Sequence, residues 1–125
     1  MDEAYIYHAF EKLQHLYSVA HDIPVLTIAE ENKLFLELKS NPEVKIEIAE
    51  SNLRKVADLA NAYFIRHGLE LDVDVDELIH AGNVGLMLAI PKYDIAKATA
   101  ESYRFADYAA WWIKKEMSRY IASLK

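Results

Sequence analysis

Toward the C-terminus of the chain, Tyr108, Trp111 and Trp112 stand among Lys114, Lys115 and Arg119. Flat rings interleaved with cations are the residue types that single-stranded nucleic acid needs. Bases stack on aromatics for about 1–3 kcal/mol each, and ammonium and guanidinium groups follow the phosphates. At about 100° per residue, Ala110, Ile113, Met117, Ile121 and Leu124 fall in one narrow sector and form a complete core-facing stripe. Tyr108, Trp112, Lys115 and Arg119 fall opposite, with Trp111 at the edge of their face. Tyr103-Arg104-Phe105 extends the aromatic and basic composition upstream. Burial is the alternative for the same residues, because large aromatics are usually well covered and the Trp pair can pack under a neighbouring helix.

Other chemistry finds little support. There is no Cys, which excludes disulfides and thiolate metal sites. His8, His15, His21, His67 and His80 are dispersed, and His8 and His15, two helical turns apart, are too distant to share a metal. No nucleophile elbow, phosphate loop or dinucleotide fingerprint occurs. The chain is therefore expected to be a binding module and not an enzyme, with no cofactor and no metal.

The elements that must position these side chains read as helices. Ile6, Ala9, Phe10, Leu13, Leu16, Tyr17 and Ala20 are spaced for an amphipathic helix over 4–20. Thr27 and Glu30 form a capping box that starts a second helix running to about Lys39. Asn41 as N-cap and Pro42 at the first helical position start a long third helix that stops at His67-Gly68. Leu69 to Val75 alternates acidic and apolar residues like a strand but has no partner strand, and reads as a loop. A fourth helix spans Asp76 to Ile90 and ends at Pro91; 94–102 reads as a connector, and a last helix covers about Asp107 to Leu124. The expected fold is all-α, a compact bundle of about five helices, with an N-terminal amphipathic helix over 1–23 preceding a domain over 24–125.

The net charge of −6 conceals an asymmetry: from residue 97 onward six Lys or Arg meet three acids, a net of +3, which leaves −9 on the first 96 residues. One end suits phosphate and the other suits a basic partner. The N-terminus lacks a signal peptide's basic start and apolar run, and no stretch of about 18 apolar residues occurs, so a cytoplasmic protein with no membrane partner is expected.

Several motifs in one order resemble a known family. Tyr103-Arg104-Phe105-Ala106-Asp107-Tyr108-Ala109-Ala110-Trp111-Trp112-Ile113-Lys114-Lys115 resembles the signature of the second conserved domain of bacterial vegetative sigma factors, Tyr-Lys-Phe-Ser-Thr-Tyr-Ala before a Trp pair and Ile-Arg-Gln. Ser51-Asn52-Leu53-Arg54-Lys55-Val56, Leu78-Ile79 with Gly82-Asn83-Val84-Gly85-Leu86, and Lys92-Tyr93-Asp94 resemble three further family segments; Pro24-Val25-Leu26-Thr27 with Glu30-Glu31 resembles the stretch before them. The resemblance implies a transcription initiation factor domain that binds core RNA polymerase and melts the promoter minus-ten element, gripping single-stranded non-template DNA. A flipped adenine would be held by Tyr103, Phe105 and Tyr108. Trp111 and Trp112 would form the wedge at the upstream edge of the bubble, and Arg104, Lys114, Lys115 and Arg119 would complete the DNA-binding set. Glu77, His80, Asn83, Val84 and Met87 would meet the clamp helices of the largest polymerase subunit. An anti-sigma factor or co-activator is a further partner that the resemblance allows.

Departures from the family pattern leave a second reading open. Asp107 stands where the family has Thr, either as an anion beside the DNA track or as the N-cap of the last helix. Lys115 replaces a Gln and can donate to guanine O6 and N7. His80-Ala81 replaces Gln-Glu, and insertions of about four residues fall in the Asp-rich loop and between Asp94 and Tyr103. The chain also stops before the family's C-terminal domain, as a fragment or a minimal sigma-like protein. The alternative is a sigma-like polymerase-binding regulator that no longer reads promoter DNA.

Overall fold

The computed structural model describes residues 3–125. It places α1 (Glu3–His21), α2 (Ile28–Leu38), α3 (Val44–Glu50), α4 (Leu53–His67), α5 (Val75–Ala89), a 3-10 turn (Ile90–Lys92), α6 (Ile95–Glu101) and α7 (Phe105–Ser123). The fold is all-α, with no strand among the described residues. No described helix is long and apolar enough to cross a membrane.

The helix count exceeds the five expected from sequence because two segments divide differently. The expected third helix is two helices, broken at Ser51-Asn52, where the Ser51 hydroxyl and the Asn52 amide both donate to the Ile48 carbonyl at 2.8 Å. Side chains that capture backbone acceptors compete with the helix, and two in succession end it. Asn41 does receive the Glu43 N–H at 3.2 Å, but the helix proper starts only at Val44, after a turn. The expected connector over 94–102 contains α6: the Asp94 carboxylate accepts the Lys97 N–H at 3.2 Å as N-cap, and Ala, Lys and Glu are strong helix formers. Leu69 to Asp74 is a loop, pinned by the buried Val73 and by the Tyr5 hydroxyl donating to the Val73 carbonyl.

The core is built around α7, whose buried residues Phe105, Ala109, Ile113, Met117 and Ile121 recur every fourth position. The stripe is therefore centred one residue away from the expected Ala110, which is half-buried, as is Leu124. Opposite lies α5, with Leu78, Leu86 and Ala89 almost wholly enclosed. Their approach is governed by two glycines: a Cβ at Gly85 would lie 2.5 Å from the Trp112 carbonyl oxygen and 2.7 Å from the Ile113 Cα, and one at Gly82 would lie 2.5 Å from the Met117 methyl group. Val56, Ala57 and Ala60 of α4 bear on the same core, and α1 adds Ala9 and Leu13.

Because backbone cannot yield as a side-chain tip can, Gly85→Ala should force the helices apart. We expect a cost of about 1–3 kcal/mol despite the roughly 1 kcal/mol that alanine gains in helix propensity. A urea midpoint equal to wild type would contradict the close crossing.

Candidate nucleic-acid interface

The N-terminal end of α7 is fixed by a turn and a latch. Ser102 closes α6 in the left-handed region at φ 58°, which lets the Tyr103 N–H donate to the Ala98 carbonyl at 3.0 Å and returns the chain toward α2. There Glu31, only 6% exposed, accepts the Phe105 N–H at 3.3 Å and the Arg104 guanidinium at 3.4 Å. The same guanidinium donates to the Leu26 carbonyl at 3.0 Å. Arg104, expected among the DNA contacts, links α2 to α7 through these bonds while its side chain stays 39% exposed. The helix starts at Phe105 and not at Asp107; Asp107 is the third helical residue, and its carboxylate accepts the Arg104 N–H at 3.1 Å.

Above the latch lies an aromatic cluster centred on Tyr93. Its ring centroid is 4.8 Å from Phe35, 5.2 Å from Phe105, 5.6 Å from Tyr108 and 6.3 Å from Tyr103. Tyr103 and Tyr108 lie nearly parallel, 19° between planes and 6.4 Å between centroids. Of the three residues expected to hold a flipped base, Tyr103 and Tyr108 are half-buried and reachable, whereas Phe105 is completely enclosed. Phe105 packs beneath the cluster, where its ring is closed to any ligand, and Tyr93, which carried no role in the sequence reading, is half-buried at the surface of the cluster. Burial, reinforced by the Glu31 charge, pushes the Tyr93 phenol up to about 12.

The two tryptophans part company. Trp111 is 59% exposed, while Trp112 is half-buried and packs against the core. Their rings meet edge to face with centroids 5.0 Å apart. Lys115 Nζ lies 5.1 Å from the Trp111 ring and 5.5 Å from Trp112, and Lys92 Nζ lies 4.5 Å from Trp112, within the range of cation–π attraction. Lys92 is the second contributor that sequence reasoning missed, because it sits on the 3-10 turn, distant in sequence from the α7 pattern. The turn is tied to α7 by the Tyr108 hydroxyl, which donates to the Lys92 carbonyl at 3.3 Å. Lys114 is exposed, and Arg119 pairs with Glu116 at 3.5 Å.

On α5 the residues expected to meet polymerase line the outer side. Glu77 and His80 are exposed, Met87 is 37% exposed, and Asn83 and Val84 are half-buried. The Asn83 Oδ1 is enclosed without a hydrogen-bond partner among the described residues. Leu88, 39% exposed, extends the apolar surface beside Met87.

Residues 48–125 match the sigma-70 region 2 family. The chain is 39% identical over 101 residues to the RNA polymerase sigma factor SigA of Listeria monocytogenes, and equally to that of Listeria innocua. Each match covers 80% of this chain and 25% of the relative, so the chain spans about a quarter of the length of these curated relatives. The chain belongs to the sigma-70 region 2 family. In this sigma region 2 domain the matched span includes all of α4 through α7, and therefore Tyr93, the Trp pair and the α5 outer face. The latch residue Glu31 lies upstream of it, on α2.

Two outcomes follow for the sigma region 2 domain. Trp111→Ala should change stability by no more than about 0.5 kcal/mol, whereas Trp112→Ala should cost roughly 2 kcal/mol, read by chemical denaturation of each single variant. Equal effects would contradict the asymmetric burial. Folding favours the neutral phenol of Tyr93, whose ordinary value is 10.0, so its contribution is complete below that pH and is lost as pH rises through about 12. Tyr93→Phe should accordingly flatten the alkaline fall in stability, and an unaltered pH profile would contradict the assignment.

Proposed function

We propose that this domain binds core RNA polymerase through the outer side of α5 and holds the unpaired non-template strand of the promoter minus-ten element on the N-terminal half of α7. One observation carries the reading: an exposed tryptophan and a half-buried one, with Lys92 and Lys115 over their rings, stand beside the surface cluster of Tyr93, Tyr103 and Tyr108. The cations supply phosphate attraction and the rings supply stacking, the two ingredients of strand binding without covalent chemistry. Extruding a base costs a few kcal/mol, and stacking of the flipped ring on Tyr103 or Tyr108 offsets that cost. Trp111 and Trp112 form the wedge where the duplex opens, and Lys114 and Arg119 continue the cationic track along α7.

The reading as a polymerase-binding regulator that has lost its DNA reader draws on Asp107 and on the insertion between Asp94 and Tyr103. The Asp107 carboxylate caps the first turn of α7 through the Arg104 N–H, which gives it a local structural role. The α5 surface suits a protein partner: Met87 and Leu88 are exposed side by side, with Glu77 and His80 on the same helix.

The test is fluorescence anisotropy of a labelled single-stranded minus-ten oligonucleotide, non-template sense, titrated with the domain and core polymerase at fixed salt. Binding should depend on oligonucleotide sequence, and Trp111→Ala or Tyr108→Ala should weaken it by about 5-fold to 150-fold, the equivalent of one lost stacking partner. Polymerase binding with no sequence dependence would overturn the strand-reading function in favour of the regulator.

A further inference from the structure

Helix α1 lies upstream of the span that matches the family, and beside α5 it leaves a groove of about 440 Å³. Leu16 of α1 and Ile79 of α5, both half-buried, line the groove together with Val19, which is 40% exposed. Glu11, Lys12 and Asp76 are exposed members of the same lining. Lys12 Nζ donates to Asp76 Oδ2 at 2.6 Å, a tie between α1 and the first turn of α5. On its other side α1 buries Ala9, Leu13 and Ala20, so this wall of the groove belongs to the folded core.

The groove continues the outer side of α5. Asp76 and Ile79 line it, and Glu77 and His80, each the next residue in sequence, are exposed on the surface that suits a protein partner. Across the joined surface Glu11, Asp76 and Glu77 oppose the single cation Lys12, a net of −2 with His15 and His80 neutral, and Lys12 is already paired with Asp76. The first 96 residues as a whole carry −9. Such a surface repels phosphate, which separates it from the cationic side of α7. Apolar side chains bordered by carboxylates are the complement of a basic protein segment that presents an apolar side chain between Lys or Arg residues.

We propose that α1 and α5 form one polymerase-docking surface, in which a basic segment of core RNA polymerase lying along the outer side of α5 continues over Ile79 to Val19 and sets its cations against Glu11 and Asp76. The inference rests on the polymerase-binding function proposed above and extends it to a helix outside the matched span.

The experiment measures binding of the full chain to core RNA polymerase by biolayer interferometry at two salt concentrations. Val19→Glu should weaken binding by about 10-fold, and Glu11→Arg by about 5-fold with a shallower salt dependence. Gln14→Glu adds the same charge as Val19→Glu at an exposed position of α1 outside the lining, and should leave affinity unchanged. Met87→Glu, on α5, tests the underlying function and should weaken binding as well. Loss in Met87→Glu with wild-type affinity in both Val19→Glu and Glu11→Arg would overturn the groove while leaving the α5 surface standing. Wild-type affinity in all three would remove both. Equal weakening by Gln14→Glu, or loss in the α1 variants without loss in Met87→Glu, would overturn the single surface. Val19 and Glu11 are exposed, so urea midpoints should match wild type; if Val19→Glu lowers its midpoint, Glu11→Arg decides.

Discussion

With Gly82 and Gly85 at its crossing point, α5 approaches α7 so closely that a methyl group at Gly85 would stand 2.5 Å from the Trp112 carbonyl oxygen. At that separation the stripe from Phe105 to Ile121 is consumed entirely by packing, and the remaining surface of α7 must face outward. The aromatic and cationic residues of the outer side thus gain their exposure from the tightness of the inner side. Aromatics carry apolar area that would ordinarily be covered; here the core holds Ile113 and Met117 at full burial, while the Trp111 indole stays 59% exposed.

The same crossing organises the two ends of the candidate site. Downstream of α5 the 3-10 turn delivers Lys92 and Tyr93 to the first turns of α7, and the Tyr108 hydroxyl ties the two segments together. Upstream, Glu31 reaches from α2 to the Phe105 amide and the Arg104 guanidinium. A buried carboxylate that accepts from both a cation and a backbone N–H is costly to disturb, because removing either partner strands the other. This latch gives α2 a direct hold on the helix that carries Tyr108 and the two tryptophans.

Much of this was legible from residue types and spacing. The two-sided character of α7 followed from the period of Ile113, Met117 and Ile121 against Trp112, Lys115 and Arg119, since one helical repeat dictates both faces. The small residues at 82 and 85 signalled close packing because glycine inside a helix otherwise only weakens it. What escaped were features that depend on tertiary neighbours. Phe105 and Tyr103 are alike in sequence, and only the surrounding rings of Phe35 and Tyr93 put one in the core and the other at the surface. Nothing beside Arg104 in the sequence points to Glu31, 73 residues earlier, as an acceptor for its guanidinium. The break at Ser51-Asn52 depends on side chains choosing the Ile48 carbonyl over solvent, and α6 was passed over because seven residues offer too little apolar period to register.

The central claim is that the outer indole at Trp111 is free in the isolated domain and covered by the strand when it binds. Fluorine NMR of the domain labelled with 5-fluorotryptophan, in complex with unlabelled core polymerase, reads this directly, since the polymerase is silent and the chain has two tryptophans. The resonance assigned to Trp111 by a Trp111→Phe control should be solvent-sensitive before addition of the single-stranded minus-ten oligonucleotide. It should shift and lose that sensitivity afterwards. A Trp111 resonance already shielded in the free domain, or unmoved by a saturating oligonucleotide of the preferred sequence, would contradict the account.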